Sequence, residues 1–492
     1  MLNRRRLLAF GVTALGGGAV LRFLGDTPTA LSGIGHQGHH GGHVPQPSAG
    51  TVGATHVTFT PFTERMPVPP VLRPSRTTGG VDTYTLPIRA AEVDIIPGLR
   101  TPALTYGGQF VGPTIRARAG RPVKVAFVNE LDQLTNVHLH GGHVSAANDG
   151  HPMDLIAPGA TRVYDYPNTQ RGATLWYHDH THGLEADHVY RGLHGFYLIH
   201  DKAEKRLNLP SGKYDVPIML RNAQFDEKGA LVFGHPDNRT TVLANGKAQP
   251  YFPVAARKYR FRLLNASLKH VFRLNMGGVP MTKIASDGGL LPAPVSREEL
   301  VISSGERVEI VVDFSGRLDD SPLYLYEGEN PILRFDVSAA HGRDRSSVPA
   351  ELVPLPALGA ATVERQVSMS FDMSARPPVG LVNGRPFDPD RVDLQVKQGA
   401  TEIWEIVNAD VTPIPFDHPF HMHLVQFQVL SRDGGPPLPE DAGLKDTVYL
   451  PPRGTVRIQM TFRTPYTGRY MYHCHYLEHS ALGMMAQMEI VP

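Results

Sequence analysis

The sequence predicts an all-β protein of three consecutive Greek-key β-sandwich domains. Three observations carry that expectation. An alternating strand motif ending in Asn occurs three times; Gly (49) and Pro (43) are spread along the whole chain; and no long amphipathic helical stretch is present. Gly and Pro interrupt helices and mark short connections, which suits many short strands. At 492 residues the chain has room for three domains of ~150 residues, each with its own core.

The elements follow in order. Residues 1–32 read as an export signal: Arg4, Arg5 and Arg6 precede Leu7 and Leu8, and a weakly apolar run continues to Leu21 before Arg22 interrupts it. That run is shorter than the ~20 apolar residues a membrane span needs, so no lasting anchor is expected. Paired arginines before Leu-Leu resemble a twin-arginine signal, which exports proteins already folded. The expected destination is the periplasm, the cell envelope or the medium. Residues 33–53, with His36, His39, His40 and His43 among glycines, lack the apolar content to fold and read as a solvated linker. The three sandwiches are expected at 54–205, 206–350 and 351–492. Between them, Asp201–Lys205 and Arg343–Pro356 read as linkers.

Each sandwich repeats the same three signals. The first is an alternating strand, Val123–Asn129, Tyr259–Asn265 and Glu402–Asn408, whose period of two marks a half-buried strand. The second strand includes Val163–Tyr166, Val308–Asp313 and Val456–Met460. A Tyr-rich strand closes each copy at Trp176-Tyr177, Tyr324–Tyr326 and Tyr470–Tyr472. One sandwich repeated three times is the economical reading.

Lys+Arg 48 against Asp+Glu 47 gives a net charge of +1, with no basic surplus for nucleic acid. The single cysteine, Cys474, excludes an intramolecular disulfide. The chemistry lies in four histidine blocks. The first sandwich has His138-Leu-His140 and His178-Asp-His180. The third has His418-Pro-Phe-His421-Met-His423 and His473-Cys474-His475, followed by His479 and Met484. The middle sandwich has nothing equivalent, with only His270 near a corresponding place.

On a strand, residues i and i+2 point the same way, so each His-x-His pair sends two imidazoles to one side. Two pairs from the first sandwich and two from the third can converge and share several metal ions. Cys474, between two such histidines, points to the opposite face. It can bind a separate copper with His418 and His479, and with Met484 as a weak axial ligand, the set of a blue-copper electron-transfer site. Structural zinc, which prefers a closed set of strong ligands, explains neither Met484 nor the further histidines.

These blocks resemble those of the multicopper oxidases, a family of cupredoxin-like sandwiches, over essentially the whole chain after the leader. The resemblance implies four copper ions. His418, Cys474, His479 and Met484 would hold the type 1 copper, and His138 and His421 the type 2 copper. His140, His178, His180, His423, His473 and His475 would hold the type 3 pair. It implies four one-electron oxidations of a small reductant and reduction of O2 to two waters, by a protein expected to be a monomer. Asp149 matches the acidic residue near the type 2 copper and is the expected proton donor. Ser480 departs from the pattern, because many bacterial relatives carry Glu there. The expected activity is laccase-like, on phenols or aromatic amines. The alternative is a metallo-oxidase of Cu(I), Fe(II) or Mn(II) in copper tolerance; only 14 Met occur and none form a cluster before the type 1 loop, which does not favour Cu(I). A third reading, a copper-free scaffold of this fold, would lack the ligands that are all present here. The loop Ser431–Lys445 is expected near the type 1 edge.

Overall fold

Three strands repeat with one topology, and a single asparagine explains how each repeat is braced. The structure, a computed structural model, describes residues 57–317, 322–339, 343–412 and 415–492. The expected export signal and the expected histidine-rich linker lie outside the described residues.

In the first repeat Val123–Asn129 pairs in parallel with Val81–Val93 and antiparallel with Thr161–Tyr166. In the second, Lys258–Asn265 pairs in parallel with Asp215–Ala223 and antiparallel with Arg307–Asp313. In the third, Thr401–Asn408 pairs in parallel with Val363–Asp372 and antiparallel with Thr455–Thr461. Six sheets result among the described residues, two facing layers to each sandwich. The alternation read from the sequence fits these strands: in Val123–Asn129, Val123, Val125, Phe127 and Asn129 are buried while Lys124 is exposed.

The terminal asparagine performs one task in all three. Asn129 Nδ2 donates to the carbonyls of Gln133 and Ile156, both at 2.9 Å. Asn265 donates to His270 (2.8 Å) and Ile302 (2.9 Å), and Asn408 to Phe416 (2.6 Å) and Pro451 (3.0 Å). Each Oδ1 accepts the amide two residues on, at Leu131, Ser267 and Asp410. A short amide thus satisfies three backbone groups where the chain leaves the sheet, groups that would be costly to bury unpaired.

Each sandwich has its own core, with Phe127 and Tyr164 in the first, Phe261 and Phe335 in the second, and Trp404 and Phe420 in the third. Fully burying one such side chain is worth roughly 1.5–3 kcal/mol. Helices are short: the longest among the described residues is Glu185–Arg191, and none is long and apolar enough to cross a membrane. The two expected linkers are pinned to the middle sandwich. Lys202–Lys205 is a helical turn whose Glu204 pairs with Arg260 and Arg262, and Asp344 pairs with Arg257 at 2.8 Å.

Candidate metal centres

The His-x-His pairs sit on short strands whose register brings them face to face. His138–His140 runs antiparallel to Ala173–His178 with His138 opposite His178. His418–Met422 runs antiparallel to Gly468–Cys474 with His421 opposite His473. The first and third sandwiches meet along these edges. The rings of His140 and His421 stack at 3.8 Å, as do those of His138 and His423. His180 lies 4.9 Å from His473 and His140 lies 4.8 Å from His475, ring to ring. All eight imidazoles expected at the shared cluster converge, and all are buried.

In seven of them the hydrogen bonds follow one rule: one nitrogen of the ring is held by an oxygen outside the cluster while the other turns inward. His138 Nδ1 meets the Asp149 carbonyl (2.6 Å), His178 Nδ1 the Asp179 carbonyl (2.9 Å) and His421 Nδ1 the Asp446 carbonyl (2.8 Å). His423 Nδ1 meets Asp149 Oδ2 (2.7 Å), and His473 Nδ1 the Cys474 carbonyl (2.9 Å). His140 is turned over, its Nε2 on Asp446 Oδ1 at 2.9 Å. The inward atoms His138 Nε2, His140 Nδ1, His178 Nε2, His180 Nε2, His421 Nε2 and His475 Nε2 are buried with no partner. His423 and His473 turn their Nε2 atoms to each other at 3.3 Å. Burial pushes all eight well below the usual histidine range, His178 and His180 to about 3 and His473 to about 4. Neutral rings whose second nitrogens turn inward, all but His180 fixed from behind by a hydrogen-bonded oxygen, are what a metal cluster requires.

The lone sulfur sits on the other side. Cys474 Sγ lies 3.7 Å from His418 Nδ1 and 3.6 Å from His479 Nδ1, and those nitrogens are 3.2 Å apart. His418 Nε2 is held by Asp410 Oδ2 at 3.1 Å. Met484 shares the buried core of Cys474, and its carbonyl takes the Cys474 amide at 3.1 Å. Burial raises the Cys474 thiol far above its ordinary value, so a thiolate here needs a bound cation beside it.

Groups that the sequence reading missed surround both centres. Asp446 braces His140 and is gripped by Arg307 of the middle sandwich, Nη1 to Oδ1 at 2.7 Å and Nη2 to Oδ2 at 2.5 Å. Ser304 Oγ meets His475 Nδ1 at 3.3 Å. Gly305, with φ +87°, lies against that ring; an added Cβ would come within 2.8 Å of His475 Nδ1, so only glycine fits. Glu185, on the helix after His180, is fully buried, accepts a hydrogen bond from Ser480, and is pushed up to about 7 by burial. Asp149, the proton donor expected from the sequence, is buried too and raised well above the carboxylate range, by burial first and by Asp154 second; its Oδ1 accepts no hydrogen bond and lies 3.7 Å from His138 Nδ1. An acidic residue five positions beyond a His-x-His pair, in a chain with Ser at 480, was the available signal for Glu185.

Other histidines among the described residues have protein neighbours. His143 bonds Gln426, His151 Nε2 lies 2.8 Å from Gln487, and His194 Nε2 lies 3.2 Å from Arg221. His188 is 3.1 Å from Asp179, and the His182 ring packs against Phe387. The Ser431–Lys445 loop packs on the middle sandwich, where Glu440 pairs with Arg297 and its carbonyl takes Lys283 at 2.9 Å. The rings against His479 are Phe371 (4.8 Å), Tyr476 (5.2 Å) and Phe416 (5.9 Å).

Buried imidazoles shared between two sandwiches, with a thiol behind them, define a metalloprotein of several clustered ions. Three family profiles, all described as multicopper oxidase, match residues 88–204, 209–324 and 360–492. The chain is 34% identical to a laccase of Bacillus stratosphericus, over 87% of this chain and 99% of that one. It is 35% identical to a bilirubin oxidase of Albifimbria verrucaria, over 86% of this chain and 80% of that one. A crystal structure of a laccase from Pediococcus acidilactici superposes with a TM-score of 0.82 at 31% identity, covering 90% of this chain and 97% of its own. The chain belongs to the multicopper oxidase family, copper-dependent oxidoreductases that use O2. The donor set described above fits copper.

Proposed function

We propose that this chain is a laccase-like oxidase. It takes electrons singly from phenols or aromatic amines at a type 1 copper held by His418, Cys474, His479 and Met484. It delivers four electrons and four protons to O2, giving two waters, at three further coppers. Of these, His138 and His421 hold the type 2 ion; His140, His178, His180, His423, His473 and His475 hold the type 3 pair. Copper, when bound, supplies the one-electron couples and the site of O2 reduction. The observation that carries the reading is the convergence of eight neutral imidazoles from both ends of the polypeptide, with Cys474 placed between two of them.

The chain's own residues supply the rest. Cys474 is bonded through the backbone to His473 and His475, so an electron entering at the sulfur has a covalent route one residue long. Asp149 holds His423 with Oδ2, and its unpartnered Oδ1 is available to carry a proton inward. Burial of every ligand keeps water and its side reactions out.

Aromatic reductants are favoured by what surrounds His479. Half-buried Phe371 and Phe416 flank it, and Lys269 Nζ lies 4.7 Å over the Phe416 ring. The nearby carboxylates are engaged, Asp410 by His418 and Asp417 by the Tyr476 hydroxyl at 2.7 Å. A metal-ion substrate would meet a lysine and apolar rings there. We further propose that residues 1–32 direct export and that the protein works as a monomer outside the cytoplasm; full-length protein confined to the cytosol would refute the export.

Oxygen uptake by the copper-loaded protein tests the substrate. A methoxyphenol is expected to drive faster uptake than Cu(I), Fe(II) or Mn(II) at equal electron supply. Faster uptake with a metal ion would replace this reading by the metallo-oxidase. Copper-loaded protein without a blue band would sink both.

A further inference from the structure

Seven of the eight cluster histidines have an oxygen at their outer nitrogen in hydrogen-bonding geometry; His180 is the odd one. Its Nδ1 is buried and has no aligned hydrogen bond, yet Glu185 Oε2 lies 2.5 Å away. The other carboxylate oxygen, Oε1, accepts from the hydroxyl of Ser480, the residue directly after His479. Glu185 begins the helix Glu185–Arg191 of the first sandwich, and Ser480 lies in the helix Leu477–Ala481 of the third. A fully buried carboxyl whose hydrogen-bonding neighbours are one hydroxyl and one imidazole is costly unless it has a task, because burial without full pairing is penalised.

We propose that Glu185 is a positioning residue that couples the two copper sites, fixing His180 through one oxygen and the segment that carries His479 through the other. The proposal rests on the reading of His180 and His479 as copper ligands. A small rotation of the carboxylate brings Oε2 onto the Nδ1–H axis, which sets the tautomer and aims Nε2 at the cluster, as the outer oxygens do for the neighbouring rings. Through Ser480, the same carboxylate limits how the short helix, and so His479, can shift against Cys474. The backbone from Cys474 to its flanking histidines is one link between the sites; Glu185 provides a second, across the interface between sandwiches.

The test uses the copper-loaded full chain and three variants, Glu185→Ala, Glu185→Gln and Ser480→Ala. The readouts are copper per chain, the near-ultraviolet band of the type 3 pair, the visible band and electron paramagnetic resonance of type 1 copper, and the type 1 potential. Glu185→Ala is expected to weaken copper binding at the cluster by about 10–100-fold, seen as loss of the type 3 band while the chain stays blue with an altered type 1 signal. Glu185→Gln, which keeps an acceptor for His180, should recover the type 3 band. Ser480→Ala should leave copper content and the type 3 band unchanged and alter only the type 1 signal and potential. If Glu185→Ala keeps wild-type bands at both sites, the coupling is wrong. If the variants lower the thermal midpoint of the copper-free chain alike and leave no site-specific signature, Glu185 is merely structural and the proposal falls. A wild-type chain that never turns blue would instead discredit the copper assignment beneath it.

Discussion

The outer sandwiches and the middle one share a scaffold and differ in chemistry. All three end the central strand in an asparagine that braces the following loop with the same set of hydrogen bonds. After that loop, the first sandwich sends out His138 and His140 and the third His418, His421 and His423. The middle one sends out Phe272 and Leu274, both buried in its own core. His270 lies just before them, half-buried and paired with Glu327. The difference teaches that the repeated fold does not itself bind metal. Metal ligands are added within the third repeat, around Cys474, and along the edge it shares with the first, while the middle repeat serves as a brace: Arg307 grips Asp446 and Ser304 touches His475.

The sharpest way to break this division is to remove the sulfur. Cys474→Ser is expected to abolish the blue band and reduce phenol turnover to background, while histidine-bound copper remains measurable by metal analysis. Turnover that survives would mean electrons enter elsewhere. Next in size is Asp149→Asn. The amide oxygen can still hold His423 Nδ1, but the proton is lost, so oxygen reduction should slow by about 10²–10⁴-fold with the blue copper intact. Reoxidation of the fully reduced enzyme by O2 reads it; an unchanged rate would discard the role.

The brace is tested by Arg307→Met. It leaves Asp446 buried and uncompensated, which should destabilise the fold by about 3–5 kcal/mol. The effect should reach the cluster through His140 although residue 307 belongs to the histidine-poor sandwich. Denaturant unfolding with and without copper measures it. A loss of stability confined to the middle sandwich, with His140 still competent, would make the middle repeat a bystander.

The scaffold and the ligands were legible because both are local. Alternation over seven residues marks a strand, and spacing of two marks a shared face. One cysteine between two histidines separates the two centres without any knowledge of the fold. What surrounds them was not legible, because it depends on pairs far apart in the chain: Asp446 reaches His140 across 306 positions, and Ser480 reaches Glu185 across 295. The Ser431–Lys445 loop could be named from the sequence but not what holds it, which is Arg297 and Lys283 of another sandwich. Sequence periodicity carries no information about which repeat a charged side chain will find.

Acid should separate the regions by a smaller margin per group. The folded, copper-free chain holds His178 and His180 near 3 and His473 near 4, whereas an unfolded histidine titrates at about 6.5. The folded state therefore refuses protons that the unfolded state accepts. The stability these neutral rings contribute is complete above about pH 6.5. It is lost as pH falls towards 4, by about 1.4 kcal/mol per group per pH unit. Hydrogen exchange of the copper-free chain at pH 7, 6 and 5 should show protection falling first in strands His138–His140 and Gly468–Cys474. Equal loss across Lys258–Asn265 would mean the three sandwiches unfold as one.

The smallest expected effect is the control for all of these. His270→Ala removes the histidine that stands where the outer repeats begin their ligands, together with its Glu327 partner contact and its ring packing on Phe272 at 4.6 Å. A half-exposed ion pair of this kind contributes about 0–1 kcal/mol, and the His270 ring is engaged by Glu327 and Phe272 rather than by a ligand of either centre. Asn265 bonds only the backbone carbonyl at 270, so the loop brace survives the change. Stability should shift by less than about 1 kcal/mol, with copper content, band intensities and turnover unchanged. Loss of copper in this variant would show that the middle repeat shares in the metal chemistry after all, and the division between scaffold and site would have to be redrawn.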